Sequence, residues 1–322
     1  MSGTGIKLTV TIPNELLYAA SRRQSFAYAW VRQNVVAYYP KTQIESIAIG
    51  NEVFVFPKIN ATRFLIPAMK NIHQALVYYK LDFVIKLSSP IAYSTLQNSY
   101  PSSSGSFKLE LIEPVLKPMF DFLRETGSYL MVNAYPFFAY ELNSDVISLD
   151  YALFRENPGV VDPNNGVRYF SLFDAQMDAV FAAMTALKYD DIPLENVAAY
   201  NGNLIKRVLT GGGTPLRPQA NLTVFLFALF NENKKGGPGS ERNYGLFYPN
   251  MEKVYNIPFT VEDLKNFRGE ISPVRGGGSS DPVKRGGNGL GRSWCVAKDV
   301  GKDKLQSGLD YACGKGRADY KQ

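Results

Sequence analysis

At 322 residues with 45% hydrophobic and 13% aromatic content, the chain can build one large α/β domain plus a tail, which excludes general disorder. The net charge is +6, but the 35 lysines and arginines are scattered and form no arginine-rich stripe with interleaved aromatics, so no nucleic-acid partner is expected. The single histidine, His73, falls in a helical setting, which argues against a histidine-based metal site or triad; no metal and no cofactor are expected.

Taken in order, Met1 to Gly5 runs straight into the alternating, strand-like Ile6 to Ile12, with neither a basic nor an apolar leader. No run of about 18 apolar residues exists, so no transmembrane segment is expected. The sequons Asn60-Ala61-Thr62 and Asn221-Leu222-Thr223 would matter only in a secreted chain. Pro13-Asn14-Glu15 opens a helix, and a second helical stretch runs near Ser25 to Val36. The isoleucine-rich run Ile44 to Ile49, closed by Gly50, reads as a buried strand.

Asn51 and Glu52 follow at its carboxyl end, where a parallel α/β sheet displays its reactive groups. A carboxyl against an apolar wall there is a candidate general acid; the alternative is an ordinary strand end with a solvated glutamate. Ile59 to Leu81 forms an amphipathic helix with Ile66, Met69, Ile72, Ala75, Leu76 and Tyr79 on one face. Asp82 to Leu87 is the next strand, followed by a Ser/Pro/Gly loop at Pro101 to Ser106, a helix near Glu113 to Thr126 and a strand from Tyr129 to Tyr135. Phe170 to Leu187 and Asn196 to Leu209 are helices, and Leu222 to Phe230 is the strongest late strand, ending in Asn231-Glu232-Asn233-Lys234-Lys235. Strands alternating with helices indicate a parallel βα array, and the polar strand ends indicate a barrel.

Six segments carry a resemblance. They are Ala48-Ile49-Gly50-Asn51-Glu52-Val53, Asn133-Ala134-Tyr135-Pro136-Phe137-Phe138, Leu172-Phe173-Asp174-Ala175, Ala199-Tyr200-Asn201, Phe230 to Lys235, and Ser240 to Phe247. Together, over roughly residues 6 to 260, they resemble glycoside hydrolase family 17, the plant endo-1,3-β-glucosidases, whose fold is a (β/α)8 TIM barrel. The resemblance implies retaining hydrolysis of 1,3-β-glucan by two glutamates. Glu52 is similar to the family's acid/base, Asn51 would hold a sugar hydroxyl, and Tyr135 would line the cleft. Glu232, Lys235 and Glu241 resemble an auxiliary charged cluster at the eighth strand, with a solvated loop ion pair as the alternative for Lys235 and Glu241. Phe173 and Asp174 are expected to serve helix packing and capping. Family members are secreted to the cell wall, apoplast or vacuole, some of them membrane-anchored, while this sequence offers no leader, so its own localisation stays open.

The departures from the family pattern matter as much. Ile6 to Ile12 already resembles the third barrel strand, so the first two βα units are expected to be missing. Ile192-Pro193 runs directly into Leu194-Glu195-Asn196. The seventh strand, with its Glu-Thr-Gly-Trp-Pro or Glu-Ser-Gly-Trp-Pro motif and the nucleophile, has no counterpart there. Glu195 matches the family's helix-opening Glu-Asn, so its side chain is expected to point away from the cleft.

The expected division is a partial glycoside hydrolase domain over 1–262, a Gly/Ser-rich linker over 263–292, and a fragment over 293–322. In that last stretch Ser293-Trp294-Cys295, Leu305-Gln306 and Leu309 to Gly314 resemble the start of a family 43 carbohydrate-binding module. In that module Cys295 and Cys313 would each pair with a cysteine this chain lacks, so both thiols are expected to be free. Three readings compete: a family 17 glucosidase whose literal chain is catalytically broken, a non-hydrolysing 1,3-β-glucan-binding protein, and the unstable product of an alternative transcript or incomplete gene model. An incomplete barrel would also expose strand edges and aggregate.

Overall fold

The computed structural model describes residues 7–55, 62–198, 207, 212–220, 222–236 and 242–254. The alternating Lys7–Ile12 (β1) and the apolar Gln43–Ile49 (β2) lie side by side in parallel, from Lys7 opposite Gln43 to Ile12 opposite Ile49. Between them the chain crosses over through Leu17–Arg22 (α1) and Gln24–Val31 (α2), the latter continued by a widened turn at Arg32–Val36.

Thr62–Tyr78 (α3) is the expected amphipathic helix. Its buried residues are Leu65, Ala68, Met69, Ile72, Ala75 and Leu76, spaced three and four apart so that one stripe faces the core. Ile66 and Tyr79 are only partly buried against it.

The strand expected over Asp82 to Leu87 begins later, at Lys86–Ser88 (β3), which pairs with β2. The helix ends through a hydrogen-bonded turn in which Leu81 donates to the Leu76 carbonyl and Ile85 to the Leu81 carbonyl, and Lys80 adopts φ 58°. Those bonds take the backbone groups a strand would need, and they leave Phe83 largely in solvent. After Ser89-Pro90, Ile91–Ala92 (β4) joins a second sheet.

The Pro101 to Ser106 loop lies inside a short antiparallel pair, Leu96–Asn98 (β5) with Ser106–Phe107 (β6). Leu109–Leu111 (α4) and Lys117–Glu125 (α5) lead to the fully buried strand Leu130–Ala134 (β7). Pro136–Leu142 (α6), Leu149–Ala152 (α7) and the hairpin of Val160–Val161 (β8) with Arg168–Tyr169 (β9) precede Leu172–Ala186 (α8).

Ser171 caps α8: its hydroxyl accepts from the Asp174 N–H and donates to Asp174 Oδ2, while Phe173 packs in the core. Asp174 also pairs with Arg207 at 3.0 Å. One turn later Asp178, completely buried, accepts from the Leu216 N–H at 2.9 Å. This i, i+4 pair of acids ties the segment after β10 back onto the helix. Burial pushes the Asp178 carboxyl up, against the hydrogen bonds of Thr214, Leu216 and Tyr169 and with a further push from Asp174.

The last two strands bring a correction. Leu194–Ala198 (β10), read from the sequence as connector followed by the opening of a helix, is a parallel strand between β7 and Thr223–Leu226 (β11). Its entry is fixed because the Leu130 N–H donates to the Pro193 carbonyl, and because Arg124 of α5 clamps Asp191 at 2.7 Å while lying over the Tyr189 ring. With β7 and β11 on either side offering unpaired backbone groups, a strand satisfies more hydrogen bonds there than a helix start would. Of the remaining helix expected to Leu209, Arg207 alone is described, and it is helical.

The parallel order is β1-β2-β3 in one sheet and β4-β7-β10-β11 in the other, linked through the continuous stretch 86–92. The late strand is shorter than the expected Leu222 to Phe230, ending at Leu226. Glu241, the Ala199-Tyr200-Asn201 motif, Asn60 and Asn221, the linker over 263–292 and the fragment over 293–322 with Trp294, Cys295 and Cys313 lie outside the described residues.

Candidate active site

The carboxyl ends of β2 and β7 meet at a hydrogen-bonded cluster. Gly50 leaves β2 with φ 66°, and its N–H donates to the Ile12 carbonyl at the end of β1. A Cβ there would come within 2.6 Å of Val53 Cγ2 and 2.7 Å of Asn14 Oδ1, so the turn admits only glycine. Asn14 and Asn51 then bond reciprocally: the Asn51 N–H donates to Asn14 Oδ1 at 2.8 Å, and Asn14 Nδ2 donates to the Asn51 carbonyl at 2.9 Å.

Glu52 follows with φ 50°, a left-handed conformation that costs a non-glycine residue about 1–2 kcal/mol. Its N–H is held by the Pro90 carbonyl at 2.9 Å, between β3 and β4. Its carboxylate is held by Asn133 of β7, whose Nδ2 donates to Glu52 Oε1 at 2.7 Å and to Asn51 Oδ1 at 3.0 Å. A hydrogen bond to a charged acceptor contributes about 1.5–3 kcal/mol, the lower end applying to the half-buried Glu52. That is enough to offset the backbone strain.

Beneath the cluster lies a small interior layer. Ala48, Tyr129 and Met131 pack together with Phe225, Thr9 and Ser46 share a hydrogen bond at 2.6 Å, and Ser88 Oγ accepts from the Met131 N–H at 3.1 Å.

The second part of the site lies beyond β11. Asn231 Oδ1 accepts from the Gly245 N–H at 2.8 Å, and the Asn231 N–H donates to the Phe247 carbonyl. A Cβ on Gly245 would fall 2.0 Å from the Asn231 nitrogen, so the two chain passages meet backbone to backbone. Glu232 and Lys235 form an ion pair at 3.4 Å, with Lys235 Nζ also 5.4 Å from the Phe227 ring centre. Both side chains are substantially exposed, so the pair holds local geometry more than it stabilises the fold.

Tyr135, half-buried at the start of α6, contacts Phe138 at 5.6 Å; Phe138 reaches Tyr244 at 6.4 Å, and Tyr244 reaches Phe227 at 6.1 Å. This row of rings runs from the end of β7 to the end of β11.

The expected site residues Asn51 and Glu52 thus stand together. Tyr135 follows β7 in the other sheet, and Glu232 with Lys235 lies at the far end of the aromatic row. Sequence reasoning singled out neither Asn133 nor Asn14 as a site residue. Asn133 had one readable signal, an amide at the carboxyl end of an otherwise apolar strand. By register Glu195 lies opposite Met131 and Thr223, and Val197 lies opposite Asn133. At about 3.3 Å per residue, Glu195 sits roughly 7 Å of strand below the level of Asn133. Among the described residues no group of three or more His, Cys, Asp or Glu side chains is arranged to hold a metal ion, and no helix is long and apolar enough to cross a membrane.

Parallel strands joined by helices, with polar side chains gathered at their carboxyl ends, define an α/β architecture of the kind that carries its site at that end. Residues 1–259 match the family model described as Glycosyl hydrolases family 17, and the chain belongs to that family. Among similar proteins of Arabidopsis thaliana, glucan endo-1,3-beta-glucosidase 13 is 37% identical over 338 aligned residues, and glucan endo-1,3-beta-glucosidase 12 is 39% identical over 350. The alignments take in 98% and 99% of this chain but 64% and 65% of those proteins. Among solved structures, CJP38, a beta-1,3-glucanase and allergen of Cryptomeria japonica pollen, superposes with a TM-score of 0.74 at 38% identity, covering 81% of this chain and 86% of that one. A plant beta-glucan endohydrolase superposes with a TM-score of 0.69 at 37% identity, covering 80% and 85%.

Proposed function

We propose that the chain binds 1,3-β-glucan in the cleft at the carboxyl ends of its strands as a glucan endo-1,3-β-glucosidase type of protein, with hydrolysis curtailed at one step. The observation that carries this reading is the Glu52 carboxylate held by Asn133 of β7 beside Asn51. Glu52 would act as general acid/base toward the glycosidic oxygen, Asn51 would hold a neighbouring sugar hydroxyl, and Tyr135 would stack along the cleft. Glu232 and Lys235, with Glu241, would set the charge balance at the far end.

Retaining hydrolysis needs a second carboxyl group about 5 Å from the first, to attack the anomeric carbon. The sequence contains no Glu-Thr-Gly-Trp or Glu-Ser-Gly-Trp, and Glu195 lies two register positions below Asn133. General acid assistance alone contributes about 10²–10⁴-fold, against roughly 10⁶-fold or more for an enzyme. We extend the proposal to the carboxyl-terminal stretch, where Ser293 to Gly314 would be a partial glucan-binding module on a linker, and to a secreted, glucan-bearing environment such as the cell wall.

The test is retention on laminarin or curdlan together with a laminarin-hydrolysis assay. Expected are binding and no turnover above that of Glu52→Gln. Loss of binding would refute the reading. Turnover abolished by both Glu52→Gln and Glu232→Gln would instead make Glu232 the nucleophile.

A further inference from the structure

We infer that Asn133 is a positioning residue that sets Glu52 and Asn51 in one shared geometry, so that the acid and its neighbouring amide work as a unit locked from β7. Asn133 is 2% exposed and comes from a strand 81 residues along the chain from Glu52. Its Nδ2 spends its donors on Glu52 Oε1 and Asn51 Oδ1, at 2.7 and 3.0 Å. Its Oδ1 is buried and meets no donor among the described residues.

That asymmetry fixes the amide's orientation. Turned over, Asn133 would press its carbonyl oxygen against two oxygen acceptors and lose both bonds. The orientation is therefore dictated by Glu52 and Asn51 alone, and theirs is dictated by it. The same clamp explains why Glu52 keeps φ 50°: its N–H is tied to Pro90 on one side and its carboxylate to Asn133 on the other, so the strained backbone has no room to relax. A buried donor that must be matched on both sides acts as a template rather than as filler.

The inference deepens the glucan reading and rests on it only for its affinity arm. The direct arm needs no ligand: the side-chain amide pair of Asn133, assigned by NMR through its loss in Asn133→Ala, is observed in the parent chain and in Glu52→Ala. We expect those signals to be protected from exchange in the parent, and to shift with protection reduced at least about tenfold in Glu52→Ala. Signals that ignore Glu52→Ala overturn the inference, whatever the protein binds.

The affinity arm is a double-mutant cycle with laminaripentaose over the parent, Asn133→Ala, Glu52→Ala and the double variant. Positioning of the pair predicts that Asn133→Ala weakens binding about tenfold in the parent and by a clearly smaller factor once Glu52 is gone, the remainder being carried by Asn51. Equal losses in both backgrounds would mark Asn133 as merely structural and sink the idea. Should none of the four proteins bind the pentasaccharide, the glucan reading falls by itself, and the amide signals alone decide this inference.

Discussion

Gly50 carries the tightest steric demand at the site. An alanine would need a left-handed backbone and would drive a Cβ to within 2.6 Å of a buried valine methyl and 2.7 Å of the Asn14 oxygen. Gly50→Ala is expected to cost about 1–3 kcal/mol and to break the Asn14–Asn51 exchange. Chemical denaturation of the variant checks the first part; an unchanged midpoint would mean the turn can move as a body. The Asn51-Glu52 pair was legible in the sequence because the two residues are adjacent and follow an apolar run closed by glycine. Asn133 was not, because nothing local tells a strand-end amide that its partner is a carboxylate 81 residues away. The strain at Glu52 was equally hidden: φ 50° results from contacts with Pro90 and Asn133, not from glutamate's own preference.

Helix α8 and the segment it binds offer a test by pH. Asp178 is completely buried with its carboxyl pushed up by desolvation, so the fold favours its protonated form. A carboxyl raised in this way contributes most below its unfolded value, about 3.9, and loses that contribution as pH rises through its folded value. Asp178→Asn, which keeps an acceptor for the Leu216 N–H and cannot ionise, should therefore gain on the parent between pH 4 and pH 8. Parallel melting curves across that range measure it, and a gap that is constant or narrows refutes it.

At this scale α3, β7 and α8 were readable because their apolar spacing and length leave one choice. The elements that were misread were settled elsewhere. Asp82 to Ile85 went to a helix-terminating turn, and Leu194–Ala198 became a strand because two flanking strands had backbone groups to satisfy. A five-residue stretch with a polar pair near its start has no period of its own to resist such neighbours.

Across the whole molecule the strands are unequally protected. Among the described residues β1 pairs only with β2, whereas β7 is held between β4 and β10. The cross-strand Lys7–Glu45 ion pair sits on an exposed face and adds little. Backbone amides of β1 are thus expected to exchange with deuterium at least about tenfold faster than those of β7, because edge pairing opens at lower free energy. Uniform protection of both strands would show that β1 is covered. Rapid exchange there, accompanied by concentration-dependent self-association, would identify this edge as the contact through which copies adhere.

The pairing of β10 has a consequence for kinship. Its hydrogen bonds to β7 and β11 are made by main-chain groups, which are the same whatever side chains the segment bears. A scaffold seated in this way can be inherited intact while the chemistry mounted on one slot is replaced, and overall similarity will scarcely register the exchange. Ancestry and competence then become separate questions.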